Sequence, residues 1–260
     1  MSDPLVLLAI GAGLGLVIGL LGGGGGILAV PLLIAAGQPF LVASSQSLVI
    51  VGAGAAAALV PHHRAGRVDW RVGFVFGALG AVGAFVGARV AEYVDPRILL
   101  GGLTVLLIGG AVTMLRAGLG ERTRAGATTV ARVEMAGGAV TPMRSDASAA
   151  ATPPGPRGRV RVVTLASSVG LVTGLLGVGA GFVVVPALVS AMKLPIKKAT
   201  ATALVVIVMN SAVAALVRHG SQGGLGVTVG LAVASATFAV IGALVSRRVP
   251  GWVLSVSFAL

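Results

Sequence analysis

Residues 15–31 read GLVIGLLGGGGGILAVP, and residues 170–186 read GLVTGLLGVGAGFVVVP. At an offset of 155 the two stretches agree at 11 of 17 positions. The same register continues without a gap. Ser45-x-Ser47 falls on Thr200-x-Thr202, Gly87-Ala88 on Gly242-Ala243, Val94 on Val249 and Leu99 on Leu254. Two segments rich in Gly, Leu and Val match by chance over short stretches. They rarely keep one register across about 80 residues with the prolines at 31 and 186 aligned. Two copies of one unit therefore make up most of the chain, and this repeat organises everything else.

Composition says where such a unit lives. Of 260 residues, 56% are hydrophobic and only 10% are charged, and the mean hydropathy is +1.04. A soluble domain carries roughly 25% charged residues, so this chain cannot cover a water-facing surface. Disorder is excluded for the same reason, except locally. Long apolar runs must satisfy their own backbone as helices in a bilayer, and a β-barrel would show short alternating segments instead. The fold class is an all-α polytopic membrane protein. The 41 glycines suit close approach of membrane helices. Zero cysteines exclude disulfides and thiolate sites. Met1-Ser2-Asp3-Pro4 lacks the basic start of a cleaved signal peptide.

The apolar runs place the elements. Residues 5–21 and 26–36 flank the first glycine cluster, followed by runs at 40–60, 72–91 and 98–115. The second copy repeats this at 162–176, 181–191, 199–217 and 227–246, with a last segment from Trp252. That segment has nine residues where its counterpart runs to about 115, so the last helix reads as incomplete. The organisation is a first transmembrane repeat over 1–115, a linker over 116–161 and a second repeat over 162–260. The linker holds eight arginines and Pro153-Pro154-Gly155-Pro156, and reads as a flexible aqueous segment.

The net charge of +12 is a topology signal rather than a nucleic-acid signal, because the basic residues sit in short loops. If each copy begins with a re-entrant hairpin broken at its glycines and the linker is cytoplasmic, sixteen Lys and Arg lie inside. Three, Arg89, Arg97 and Arg218, lie at the outer side. If the second copy's first unit crosses instead, the distribution falls to twelve and seven. The bias favours re-entry and a multi-pass protein of the plasma (inner) membrane. Three crossings per copy then give the two copies opposite orientation, the inverted repeat common in secondary transporters.

The glycine clusters carry the candidate chemistry. Gly22 to Gly26, and Gly177, Gly179 and Gly181, break a helix at each hairpin apex. The half-helices starting near Gly26 and Gly181 point N-termini inward, and free N–H groups with the positive dipole end suit an anion. Two such ends meeting near the midplane hold a small anion without a full positive charge and so without trapping it. The expected substrate-binding residues are Gly22, Gly24, Gly26, Ser45, Ser47, Gly177, Gly179, Gly181, Thr200, Thr202 and Asn210. The plainer reading is that glycines serve packing, which suits Gly11, Gly15 and Gly19, as well as Gly73-Gly77 and Gly83-Gly87. Likewise Ser and Thr often bond back to their own helix.

Other chemistries find little support. No Asp, Glu or His lies deep in a span, so a metal or cation path is not expected. Glu92 pairs with Arg89 at i, i+3, and His62, His63 and His219 read as loop-edge residues. Trp70, Tyr93 and Trp252 read as interfacial anchors. No cofactor is expected, because neither cluster has a Gly-Lys-Ser/Thr or a preceding strand. Enzyme chemistry is not expected either: Ser167-Ser168 and the histidines fall in different segments with no orienting carboxylate. The Gly-rich faces make a homodimer plausible without demonstrating one.

The doubled GLLGxGxG…P unit resembles the TauE/SafE family, membrane permeases also described as sulfite exporters. So do the Ser45-x-Ser47 and Thr200-x-Thr202 helix starts and the basic loop ending in Val68-Asp69-Trp70. The resemblance covers roughly 5–116 and 162–260. It implies transport of small sulfur-containing anions such as sulfite, thiosulfate or sulfonates. The expectation is a small-anion permease in which one repeat moves against the other, as a uniporter or weakly coupled carrier. The alternative is a membrane scaffold or assembly subunit whose glycines serve packing alone.

Overall fold

The computed structural model describes residues 4–21, 25–109, 156–179, 181–192, 194–218 and 224–246. These residues form helices and no strand. The first repeat contains α1 (Pro4–Leu21), α2 (Gly26–Ala35), α3 (Phe40–Arg64) and α4 (Trp70–Ala91), then α5 (Pro96–Gly109). The second contains α6 (Pro156–Leu176), α7 (Gly181–Met192), α8 (Ile196–Val217) and α9 (Leu225–Val245). The helix breaks repeat at the 155-residue offset: α1 ends at Leu21 and α6 at Leu176, while α2 starts at Gly26 and α7 at Gly181. Pro31 and Pro186 sit inside α2 and α7, where each lacks an N–H for the carbonyl four residues back.

Among the described residues four helices are long and apolar enough to cross a membrane: α3, α4, α8 and, over Gly226–Val245, α9. Large apolar side chains on these helices face outward, among them Phe74, Val82 and Phe85 on α4 and Val233 and Ile241 on α9. Lipid solvates such faces, which in water would be untenable over this area. The described part of α5 covers 96–109, shorter than the expected run to 115. The expected last helix from Trp252, with its interfacial Trp252, lies outside the described residues, as does 110–155 of the linker region. α6 begins at Pro156 rather than at 162, with proline at the first helical position, where its missing N–H leaves no hydrogen bond unmade.

The helices do not pack repeat by repeat. α1 and α3 pack with α9 and also hold α2, and α4 packs with α6 and α8, which also hold α7. Two large apolar cores result. The first includes Leu14, Ile18, Leu33, Ile50 and Leu231, and also takes in Leu176 of α6 and Leu204 and Ile207 of α8; the other includes Phe76, Val169, Leu188 and Val206. Across the groups, α3 packs on α8 and α2 touches α7. The repeats are therefore interlaced, each lending its fourth helix to the first helix of the other.

Glycine makes that exchange possible. A Cβ on Gly15 would run into the Ser235 carbonyl, and one on Gly170 into the Gly80 carbonyl. These two contacts are equivalent at the 155-residue offset. So are Gly19 against Ala239 and Gly174 against Ala84, and so are Gly242 against Leu16 and Gly87 against Leu171. Residue numbers rise together along both crossings, so α1 runs parallel to α9 and α6 parallel to α4. By the same register α3 runs parallel to α9 (Gln46 to Thr228, Ile50 to Ser235). α4 runs parallel to α8, through Gly73 to Val205 and Gly77 to Met209. Ser44 meets Arg218 and Gly52 meets Ser211, so α3 and α8 run antiparallel.

Candidate functional site

The second hairpin turns at Gly177, whose φ of +68° is the left-handed conformation that favours glycine. Its N–H donates to the Thr173 carbonyl at 2.9 Å, closing the end of α6. Space enforces glycine as well, since a Cβ there would collide with Ser44. The start of α3 holds this turn from the other side. Ser44 Oγ donates to the Leu176 carbonyl at 3.0 Å, and Ser47 Oγ donates to the Gly177 carbonyl and to Ser44 O at 3.0 Å. The chain then runs to Gly179, where a Cβ would strike Val51 of α3.

At this point the two hairpins meet. A Cβ on Gly26, the first residue of α2, would lie 2.6 Å from the Gly179 carbonyl oxygen and 2.9 Å from its Cα. Only glycine at 26 lets the start of α2 touch the loop before α7. No side chain caps the N-terminus of α2, so its first N–H groups remain the positive end of a short dipole. Gly26, Gly177, Gly179 and Gly181 are all buried.

The other expected residues divide. Ser47 belongs to the meeting point. Ser45 is 1% exposed and its Oγ has no hydrogen-bond partner among the described residues. Thr200 instead bonds back to the Lys197 carbonyl at 3.1 Å, and Thr202 Oγ1 accepts from the Asp69 N–H at 3.1 Å. Asp69 in turn caps α4 by accepting from Val72 N at 3.1 Å. Asn210 is buried against Gly80 of α4, with Oδ1 unpartnered. Gly22 and Gly24 lie outside the described residues. His62, read from sequence as a loop-edge residue, is instead buried in the last turn of α3, and Trp70 Nε1 donates to His63 Nδ1 at 3.1 Å. An apolar cavity of about 510 Å³ between α1 and α2, lined by Ile10, Leu14, Val17 and Leu28 among others, presents no polar side chain to an anion.

Sequence reasoning missed one residue. Arg218, counted only as an outer-side charge, follows the α8 span and is 3% exposed. Nη1 donates to Ser44 Oγ and Nη2 to the Leu175 carbonyl at 3.0 Å. Burial lowers the guanidinium to about 10, opposed by Glu92, so it stays protonated at neutral pH. A guanidinium thus reaches the end of α6 beside the glycine turn, where the sequence reading expected donors without a full positive charge. The signal was available in the sequence, as the arginine that directly follows the apolar run of α8.

The chain matches the family described as Sulfite exporter TauE/SafE over residues 7–260. The chain belongs to the TauE/SafE family. Among similar proteins, a probable membrane transporter protein of Xylella fastidiosa (strain Temecula1 / ATCC 700964) is 29% identical over 213 residues, covering 80% of this chain and 71% of that one. A probable membrane transporter protein of Xylella fastidiosa strain 9a5c is 32% identical over 216 residues, with the same coverage. No solved structure matches. This TauE/SafE protein is thus a multi-pass membrane protein of a transporter family, and its outward apolar helices accord with that.

Proposed function

We propose that this TauE/SafE chain is a permease, not an enzyme, for small sulfur-containing anions: sulfite, thiosulfate or an organosulfonate. The anion binds where the two glycine hairpins meet. The observation that carries this reading is the backbone contact between Gly26 and Gly179. It brings an uncapped helix start against an open backbone turn inside the protein, where irregular backbone is tolerated because it is buried or lines a cavity. The family supports transport, and the contact between the two hairpins supports the choice of site.

The repeats are inverted in this reading. Support comes from direction: α1, α3 and α9 run one way, and α4, α6 and α8 the other. Each of α1, α3 and α4 thus opposes its counterpart in the second repeat. With the linker cytoplasmic, as the Lys/Arg bias favours, the protein sits in the plasma membrane. The moving bodies are the interlaced groups rather than the sequence repeats, because the glycine crossings tie α1 to α9 and α4 to α6. The groups part along α3/α8 and α2/α7 to expose the site alternately.

The test is flux of labelled sulfite, thiosulfate and sulfoacetate into proteoliposomes, against chloride and sulfate, with Gly179→Leu as the comparison. Saturable flux of a sulfur anion that is lost in the variant is expected. Absence of flux from folded protein would favour a scaffold. Orientation is read by single cysteines in this cysteine-free chain. Gln38→Cys and Ser221→Cys should label from outside, and Gly66→Cys and Ser246→Cys from inside. Labelling of positions 38 and 246 from one side would contradict the inverted arrangement.

A further inference from the structure

A buried guanidinium stands at one end of the seam between α3 and α8. Among the described residues, the hydrogen bonds of Arg218 go to neutral acceptors, the Ser44 hydroxyl and the Leu175 carbonyl. No carboxylate lies within ion-pair distance of it there; Glu92 pairs with Arg89 at 3.7 Å. The carbonyl end of α6 supplies only about half a negative charge. A buried cation so placed is strongly unfavourable until a counter-charge arrives.

Two side chains on the same seam point to the same missing group. Ser45 and Ser211 are each 1% exposed, and neither hydroxyl has a hydrogen-bond partner among the described residues. Ser211 precedes Arg218 by seven residues on α8, two turns along one face. Ser45 precedes Gly52 by seven residues on α3, and Gly52 is the position whose Cβ would lie 3.1 Å from Ser211 Cβ. One cation and two unsatisfied hydroxyls therefore share the surface on which the two helix groups meet.

We propose that this seam is the anion's binding path, with Arg218 as the charge-bearing contact and Ser45 and Ser211 as neutral donors. This rests on the permease reading and gives it a ligand class: a sulfonate-type headgroup, with several oxygens and one negative charge. Among the described residues two of the five guanidinium N–H donors are used, by Ser44 and Leu175, which leaves three there for such a headgroup. The planar fork suits oxyanions better than a point charge does.

The experiment is titration of the full chain in nanodiscs with methanesulfonate, using methanesulfonamide as the uncharged comparison. Melting temperature without ligand is recorded in parallel. The wild type should bind the anion and not the amide. Arg218→Gln should weaken binding by about tenfold or more, and Arg218→Lys by less. Ser45→Ala and Ser211→Ala should each weaken it by about threefold, whereas Thr237→Ala, on an exposed helix face, should leave it unchanged. A structural role alone would lower the melting temperature and leave Kd as it was, which would overturn the proposal. If Arg218→Gln fails to fold, the Ser45→Ala/Ser211→Ala double variant decides, and wild-type affinity there would overturn it. A wild type that binds no anion would bring down the permease reading as well. A binding wild type with unaffected variants would bring down this inference alone.

Discussion

The glycine crossings and the α3/α8 seam are built on opposite plans. At α1/α9 and α4/α6 backbones touch through glycine, and the contacts of one crossing reappear in the other at the 155-residue offset. The seam also joins equivalent helices, yet its polar groups are used unequally. Ser211 and Arg218 of the second repeat stand where the first has Ala56 and His63, and Thr200, the counterpart of Ser45, bonds back to Lys197. His63 is exposed and bonded to Trp70, while Arg218 is buried against α6. The close packing is shared by both repeats, whereas the polar groups of the seam are drawn unequally from them, Ser45 from the first and Ser211 and Arg218 from the second. In a membrane, packing contacts supply helix association, whereas buried polar groups are costly and mark function. The symmetric part is therefore read as scaffold and the asymmetric part as site.

The largest expected effect lies at the crossings. Gly170→Ala drives a methyl group into the Gly80 backbone and should destabilise the protein by about 3 kcal/mol, the upper end of the range for overpacking. Gly15→Ala should cost a similar amount, measured as thermal unfolding in detergent. Unequal losses would break the equivalence of the two crossings. Gly179→Leu comes next. It meets the Val51 side chain rather than backbone, so flux should fall by about tenfold or more while the melting temperature falls less than in Gly170→Ala. Thr202→Val removes the acceptor of the Asp69 N–H and should cost about 1 kcal/mol with anion affinity unchanged. A large loss of affinity would extend the site to the start of α8 and weaken the asymmetry. The smallest effect belongs to Gly13→Ala. Nothing lies within 4 Å of a Cβ there, so the helix should gain up to about 1 kcal/mol from the better former.

The repeat, the helix breaks and the glycine hairpins were legible because they depend on local chemistry read twice. A five-glycine run cannot continue a helix comfortably, and its copy at 177–181 fixed the register. Helix starts were legible only roughly: α6 begins at Pro156, where proline's preference for the first turn outweighs the polar composition before 162. The interlacing was not legible. Gly15 and Gly170 read as packing residues, but nothing in one sequence says which helix a glycine face will meet. The contacts of the expected site residues were half legible. Ser47 and Gly177 share a hydrogen bond across 130 residues, while Thr200 and Thr202, their apparent repeats, are taken up by Lys197 and Asp69. Arg218 was passed over because charge near a helix end is usually a solvated residue, and its burial is decided by α6 packing beside it.

The central claim is that the glycine crossings hold two interlaced bodies together while the seam between them opens. Two cysteine pairs in the cysteine-free chain test it. Leu8→Cys/Gly230→Cys spans α1/α9, where a Cβ at 230 lies 3.8 Å from Leu8 Cδ2. Gly52→Cys/Ser211→Cys spans α3/α8. Proteoliposome flux of a sulfur anion is measured with each pair oxidised and then reduced. Oxidation should leave flux intact in the first pair and abolish it reversibly in the second. Unimpaired flux with the α3/α8 pair locked, or flux lost with the α1/α9 pair locked, would contradict the account.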